Sequence, residues 1–437
     1  MTMDDQRGAR PPEESVRGPW RNALNTLFCV VAVAGLGLSA WAFVLQFIDI
    51  RDRAESRERI TEACAGLIDP DPVLGLNGGG TDRAEPDDEH RADTGLRSSG
   101  CLVHRVGDPG TTYGHFSLAL VVHPKDPGGD EREVEIDQEA RRPFSRIPDR
   151  GDAGDATAVA RHALPHPLGD GRLGDYDAYS VTARALCEDG GAVSSVEATA
   201  VVRYEPVTPQ DRRSLAGLAR QAADRAAGRT GCSARLPDVP STLAEPKRTL
   251  GPVTTAGGTC AWYRRFAAEK RPGPLPDRAL AAPAGKESAH DSCVLAVGEK
   301  TRGLYPDYAD PEDIPEDLRD ALRSAPWWVK TETFVGDGAK GLRSDDVTEE
   351  AELTPGTAGR ASGGVWWASS VCEGRPAVHV MWLSYPYERM IPDQLHALFR
   401  AYVDDATGRR GCTGVVLPGT DGRSSPVARE GTVRPGG

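Results

Sequence analysis

The chain has 437 residues, a formal net charge of −13 at pH 7 and a mean hydropathy of −0.44. Lys+Arg 52 against Asp+Glu 65 leaves no excess of basic residues, so nucleic acid is excluded as a partner. The low mean hydropathy excludes a polytopic transporter. Gly 49 and Pro 34 exceed ordinary usage, which predicts long turns and linkers between the folded elements.

An uncharged stretch near the N-terminus, residues 22–48, predicts a transmembrane helix. Its inner part runs from Leu27 to Phe47, and about 20 apolar residues cross the hydrocarbon layer as a helix. The alternative is a cleaved signal peptide, whose apolar region is shorter, about 7–15 residues. We therefore expect residues 22–48 to lie in the lipid bilayer, between a cytoplasmic arm (1–21) and a juxtamembrane helix (49–63).

Cysteines indicate the orientation, because arginines flank the span equally on both sides. Cys29 lies within the span, and the others all follow it without any Cys-x-x-Cys pair, which argues against zinc. An even set in a Gly/Pro-rich region predicts disulfides in an oxidising compartment, and free cytosolic thiols are the alternative. The N-terminus is then cytoplasmic and the rest extracytoplasmic, at the cell membrane. The disulfide candidates are Cys64, Cys101, Cys187, Cys232, Cys260, Cys293, Cys372 and Cys412.

An internal repeat indicates a tandem duplication. Residues 212–232 align without a gap with 392–412, and the segments around Cys187 and Cys372 match in the same order. The predicted fold class is α+β: one transmembrane helix, then two small disulfide-bonded modules, each an antiparallel sheet plus a C-terminal helix. We place the modules at 64–231 and 232–412, with a disordered tail over 413–437.

Local sequence patterns predict the helix and the strands of each module. Thr208 and Pro209 predict a helix start in the first copy, Pro392 and Asp393 predict one in the second, and the glycines at 228 and 408 predict the helix ends. Alternating residues on both sides of Cys187 and Cys372 predict hairpins, and a strand is expected after Cys260.

Eight cysteines allow 105 pairings, so the sequence alone does not settle them. One set keeps equivalent bridges in both copies: Cys187–Cys232, Cys372–Cys412, Cys64–Cys101 and Cys260–Cys293. The rival set is Cys64–Cys101, Cys232–Cys260, Cys372–Cys412 and Cys187–Cys293.

Two short motifs carry a family resemblance. Cys64-Ala-Gly-Leu-Ile-Asp-Pro, a long polar loop and then Gly-Thr-Cys-Ala-Trp, ending at Trp262, resemble membrane-anchored or secreted envelope proteins of actinobacteria. The preference for arginine over lysine is typical of such a high-GC source. The resemblance implies an envelope location and no assigned activity. The transmembrane helix and the duplication depart from that family pattern.

Catalytic motifs are absent from the sequence, so no catalytic residue, metal ligand or cofactor is predicted. Tryptophans are concentrated in the second copy, where neighbours in a strand point to opposite faces of the sheet. An exposed tryptophan favours binding of a peptide or glycan, and burial is the alternative. The predicted binding surface consists of Trp327, Trp328, Trp366 and Trp367.

Three functions remain open from the sequence, of which the least specific is structural bulk or regulation through the cytoplasmic arm, which carries no motif. The preferred one is a non-enzymatic binding or scaffolding module of the cell envelope, with an envelope protein or glycan as partner. The alternative is an envelope hydrolase acting on wall or peptide substrates with two carboxylates as acid and base, and two buried acids with opposed pKa shifts would favour it.

Overall fold

A computed structural model gives a mixed helix and sheet fold with an apolar N-terminal helix and four disulfides. Residues 1–18 of the predicted arm and most of the predicted tail lie outside the described residues. The described residues are 19–79, 84–86, 99–106, 112–125, 134–135, 163–188, 191–269, 273–304, 322, 325–345, 350–361, 363–419 and 424–426.

The described helices divide into one very long helix, three helices that cover the sheets (α3, α4 and α7), and short turns of helix. They are α1 (Pro19–Ala63), α2 (Pro70–Leu74), α3 (Pro209–Arg229), α4 (Ala261–Glu269), α5 (Glu299–Arg302), α6 (Tyr385–Glu388) and α7 (Leu395–Arg410).

Strands of the first half of the chain form a seven-stranded antiparallel sheet in the order β1-β2-β3-β8-β7-β6-β5. Its strands are β1 (Ala84–Pro86), β2 (Ser99–Val106), β3 (Thr112–Pro124), β5 (His166–Pro167), β6 (Gly174–Tyr176), β7 (Ser180–Leu186) and β8 (Val193–Val202). β4 (Val134–Glu135) belongs to a separate small sheet.

Strands of the second half form a nine-stranded sheet in the order β19-β18-β16-β17-β12-β11-β10-β9, with β15 beside β16. They are β9 (Gly251–Pro252), β10 (Arg278–Ala281), β11 (His290–Ala296), β12 (Trp328–Val335), β15 (Gly359–Ala361), β16 (Val365–Cys372), β17 (Arg375–Leu383), β18 (Thr413–Pro418) and β19 (Ser424–Pro426). β13 (Leu342–Asp345) pairs with β14 (Glu350–Glu352) and, in parallel, with β4.

Helix α1 has two different halves. Its apolar half has a mean hydropathy of 2.3 and none of it is buried. Its C-terminal half packs into the first core, where Ile60 is fully buried and the amide of Ala84 donates to Ser56 Oγ at 3.0 Å. The helix continues without a break through the predicted segments 22–48 and 49–63, so the apolar helix is joined directly to the folded region.

Helix α3 covers one face of the first sheet because alanines and leucines recur on its inner side. Alternate residues of β7, Val181, Ala183 and Ala185, are buried beneath it, whereas the residues between them face the other way. This core also takes in Leu236 and Leu243, so it extends past the predicted module boundary at 231/232.

Helices α7 and α4 cover the second sheet with larger side chains. Trp262, Tyr263 and Trp366 are buried against Phe399 and Tyr402 of α7. The opposite face of this sheet is covered too, in part by leucines from β13, from the segment after β14 and from the first half of the chain.

The predicted hairpins and the symmetric disulfide set are confirmed. β7 pairs antiparallel with β8, and β16 pairs antiparallel with β17. The rival pairings Cys232–Cys260 and Cys187–Cys293 are wrong. The four bridges are Cys64–Cys101, Cys187–Cys232, Cys260–Cys293 and Cys372–Cys412.

Several local predictions need correction. Cys260 precedes a helix, α4, because Trp262, Tyr263 and Phe266 recur at helical spacing and are buried together. The glycines at 228 and 408 lie inside their helices, and Gly411, with a φ of 63°, is the left-handed residue that ends α7. Residues 413–418 form strand β18, so the predicted disordered tail does not begin at 413.

Candidate functional site

The first sheet carries charge on the face away from α3. Arg184 in β7 lies directly opposite Glu197 in β8, and Arg184 Nε lies 2.5 Å from Glu197 Oε1. His123 of β3 lies on the other side of Glu197, with its Nε2 3.8 Å from Oε2. Asp175 of β6 shares this face, because its neighbour Tyr176 is buried on the α3 side.

The second sheet brings a matching set of charges. Lys330 and Glu332 are two residues apart in β12 and therefore share a face. Lys330 Nζ and His290 Nε2 each lie 3.1 Å from Glu332 Oε1. The Glu332 side chain is buried, so two groups that can carry positive charge surround one buried carboxylate.

The two sets meet between the sheets. Asp337, in a short 3₁₀ helix after β12 (Gly336–Ala339), accepts hydrogen bonds from Ser194 Oγ at 2.9 Å and Ser195 Oγ at 2.6 Å, both in β8. His290 and Arg184 both act electrostatically on Asp175. We name these residues the intersheet cluster: His123, Asp175, Arg184, Glu197, His290, Lys330, Glu332 and Asp337.

The acids of the intersheet cluster have opposed pKa shifts. Burial raises the pKa of Asp175 to about 6, although His290 and Arg184 partly offset it. Burial also opposes ionisation of Glu332, yet Lys330 and His290 outweigh it and lower its pKa to about 2. Arg184 and His123 likewise hold the pKa of Glu197 far below its ordinary value. One acid thus exchanges its proton near pH 6 while two stay ionised, the pattern that general acid–base chemistry uses.

The intersheet cluster contains hydrogen-bond donors and acceptors and charges of both signs, which suits a polar ligand. It does not resemble a metal centre: within the described ranges, no group of three or more His, Cys, Asp or Glu side chains could hold an ion. Glu197 and Glu332 are engaged by cations and Asp337 by hydroxyl groups, whereas Asp175 is the acid of the set whose pKa burial raises.

A second polar network lies inside the second core. Ser370 Oγ contacts His379 Nε2 at 2.8 Å, His379 Nδ1 contacts Thr333 Oγ1 at 3.1 Å, and Thr333 Oγ1 contacts the Tyr402 hydroxyl at 2.7 Å. Burial, with Arg410 and Arg409, lowers the pKa of His379 to about 3. All four side chains are buried, so this Ser–His pair holds the core together and presents no exposed nucleophile.

The predicted tryptophan surface is not formed. Trp327 and Trp366 are buried in the core beneath α7 and α4, and Trp328 is buried on the opposite face of the sheet. Trp367 is half-buried on that opposite face, and its Nε1–H donates to Thr357 Oγ1 at 3.2 Å. Both faces of this sheet are covered, which is why the exposed indole inferred from strand alternation is missing.

Sequence reasoning missed the intersheet cluster. A signal was present in the alternation of residues: Lys330 and Glu332 are two residues apart in what the structure shows to be strand β12, and Arg184 lies in the strand predicted before Cys187. Charges at alternate positions of a strand ordinarily indicate a solvated face. That here they face a second sheet depends on packing between segments more than a hundred residues apart.

Comparisons of the chain with protein-family models, with curated proteins and with solved structures found no match. Function is therefore proposed from the geometry of the chain itself.

Proposed function

We propose that this chain is a single-pass membrane protein whose extracytoplasmic region binds or scaffolds a protein or glycan of the cell envelope. Residues 22–48 lie in the lipid bilayer, the N-terminus is cytoplasmic, and the two sheets lie outside. The observation that carries the proposal is α1, one helix that is wholly exposed and apolar at one end and part of the first core at the other.

The apolar half of α1 supports anchoring in a membrane because its large apolar side chains are exposed. Most of the large apolar side chains that are exposed in the described residues belong to this helix, from Trp20 to Ile50. A contiguous apolar surface of this size needs a cover, and hydrocarbon provides one for a helix of this length. The four disulfides support an oxidising compartment for the rest of the chain.

The junction supports a role at the membrane surface. Ser56 and Ile60 are buried in the first core, and Cys64, just after the helix, is bridged to Cys101 in β2. At about 1.5 Å per residue, Ser56 lies roughly 12 Å along the axis from Ile48. A continuous helix thus connects the folded region to the bilayer, and this geometry suits scaffolding at the membrane surface.

A tandem duplication is part of the proposal. Two observations support it besides the aligned residues. Cys187 follows β7 and is bridged to Cys232 after α3, whereas Cys372 ends β16 and is bridged to Cys412 after α7, with sequence separations of 45 and 40. In both halves the helix packs on the hairpin that carries the first of these cysteines.

A labelling experiment tests the topology. Single cysteines are added at the two ends, Thr2→Cys and Gly437→Cys, and intact cells are treated with a membrane-impermeant maleimide. Gly437→Cys should label on intact cells and Thr2→Cys only after lysis. The unmodified chain is the control, because Cys29 lies in the span and the other cysteines are bridged. Labelling of Thr2→Cys on intact cells would overturn the orientation.

An envelope hydrolase is the second candidate, favoured by the opposed pKa shifts of Asp175 and Glu332. The test incubates the detergent-solubilised chain with purified wall material and with peptides, and measures released fragments. Hydrolysis that falls at least about 100-fold in Asp175→Asn but not in Asp224→Asn, an exposed acid on α3, would favour the enzyme. Absence of hydrolysis by the unmodified chain would leave the binding role.

A further inference from the structure

A group of polar side chains meets at the edge of the first sheet, on the face that α3 covers. His166 in β5 and Tyr176 in β6 are directly paired, so their side chains lie side by side, with ring centroids 5.4 Å apart. Arg212 lies in the first turns of α3, and its charge acts on both rings. The Tyr176 hydroxyl donates to the carbonyl of Ala244 at 3.2 Å, which fixes its position.

Arg212 is the unusual member of this group. It is only 3% exposed, and its Nε and Nη1 atoms are buried without a hydrogen-bond partner. By contrast, Arg410, the other arginine buried among the described residues, is paired with Asp291, and the nearly buried Arg184 is paired with Glu197. A buried guanidinium without an anion is strongly unfavourable, so its natural complement is a negatively charged group that is not part of the chain described here.

The surroundings of Arg212 favour an anion. Burial, then Arg212 and Lys247, lower the pKa of His166 to about 4, so the charges that act on this ring are both positive. The Nδ1 atom of His166 is also buried without a partner. The nearest acid in sequence, Asp211, is engaged elsewhere, because its carboxylate accepts from the amides of Thr208 at 3.0 Å and Asn77 at 3.1 Å.

We propose that Arg212, His166 and Lys247, beside Tyr176, form a binding site for a single oxyanion group, a carboxylate or a phosphate. The planar guanidinium donates to two oxygens of either group, the imidazole adds a donor, and the exposed Lys247 adds a positive charge that acts on the same imidazole. The site is separate from the intersheet cluster, since it lies on the opposite face of the same sheet. It does not depend on the function proposed above.

Calorimetry tests the site with two probes, inorganic phosphate and acetate, each titrated into the detergent-solubilised full chain. Binding of at least one probe is expected, and the tighter probe identifies the group. Arg212→Met should weaken that affinity about 10- to 100-fold, the usual effect of losing charge-assisted hydrogen bonds. Arg213→Met, which removes an exposed charge from the next residue of α3, is the matched control and should bind like the unmodified chain.

A second measurement keeps the test decisive if Arg212→Met does not fold. In the unmodified chain labelled with ¹⁵N-histidine, the bound probe should raise the pKa of His166 above its free value of about 4, because an adjacent anion favours the charged ring. The His166→Gln variant assigns the signal. Failure of both probes to bind, or equal affinity in the Arg212→Met and Arg213→Met variants, would overturn the proposal.

Discussion

In each of the two helix-covered cores, a disulfide joins a hairpin to the end of the helix that packs on it, but the side chains between the helix and the sheet differ in size. In the first, α3 presents mostly alanines to the sheet, among them Ala219, Ala222 and Ala226. In the second, α7 presents Phe399 and Tyr402, which pack against Trp366 and Trp262. One core is therefore filled by small groups close to the helix backbone and the other by aromatic rings.

The contrast is clearest at matched positions of β7 and β16. Val181 precedes Cys187 by the same number of residues as Trp366 precedes Cys372, and both are buried beneath a helix. A hairpin bridged to the end of a helix thus accepts a small or a very large side chain at the same place. The disulfide fixes which elements meet, and side-chain volume then fills the layer between them.

The largest expected effect tests that contrast directly. Trp366 is 2% exposed, so Trp366→Ala should lower the free energy of unfolding by about 3–5 kcal/mol. Val181→Ala removes far less volume and should lower it by about 2 kcal/mol. Urea denaturation of the detergent-solubilised chain measures both.

Trp367→Ala is the control for Trp366→Ala, because Trp367 is the next residue of the same strand, half-buried on the opposite face. Trp367→Ala should lower the free energy of unfolding by less than half as much as Trp366→Ala does. Equal losses at the two tryptophans would contradict the assignment of the aromatic core to one face of the sheet.

Removal of Cys187–Cys232 or of Cys372–Cys412, each of which joins a hairpin to the end of a helix, is the next test. Replacing both cysteines of either pair with alanine should lower the free energy of unfolding by about 2–5 kcal/mol. The loop lengths are nearly equal, so their entropic terms differ by only about 0.1 kcal/mol. Removal of Cys372–Cys412 should lower the free energy of unfolding more than removal of Cys187–Cys232, because Cys372 and Cys412 are both buried with Val335 and Ala377. A larger loss at Cys187–Cys232 would reverse this ranking.

Much of the fold could be predicted from local sequence. The hairpins and the helix start at Thr208 follow from patterns within a few tens of residues, and they are confirmed. The disulfide pairing does not follow from local sequence: two sets of pairs stayed open, and the structure has the set with similar bridges in both halves. The start of α7 was not predicted correctly, because the chain first makes a short helical turn at Pro392–Gln394. The burial of Trp328 and Trp367 could not be predicted, since leucines distant in sequence cover them.

The candidate sites were harder to predict than the fold. Arg212 and His166 come from distant parts of the chain, and nothing in either local sequence shows that the guanidinium is unpaired. The opposed shifts of Asp175 and Glu332 likewise depend on which charges the second sheet brings against the first. Sequence patterns indicate which residues share a face, and tertiary packing decides what that face meets.

Asp175 of the first sheet and Glu332 of the second should respond oppositely to pH. The pKa of Asp175 in the folded chain, about 6, lies above its ordinary value of 3.8, so its stabilising contribution is present at low pH and lost as the pH rises through about 6. Asp175→Asn should remove this dependence. Between pH 5 and 7.5 the variant should gain about 1–2 kcal/mol relative to the unmodified chain.

Glu332→Gln is the paired variant from the second sheet. The pKa of Glu332 is lowered to about 2 from 4.5, so its contribution is present above about pH 4.5 and lost as the pH falls through about 2. The difference between this variant and the unmodified chain should therefore stay constant from pH 5 to 7.5. Urea denaturation at several pH values measures both, and a constant difference for Asp175→Asn would refute its raised pKa.

The smallest expected effect on the free energy of unfolding concerns the first residues of α3 and α7, which are capped differently. Thr208 Oγ1 accepts from the amide of Asp211 at 3.1 Å, and the Thr208 amide donates to the Asp211 carboxylate, so α3 begins with a complete capping box. Gln394, at the start of α7, makes no side-chain cap. Thr208→Ala should therefore lower the free energy of unfolding by about 1 kcal/mol, and Gln394→Ala should change it very little. Equal effects would mean that the packing of the helices, not their caps, determines where they begin.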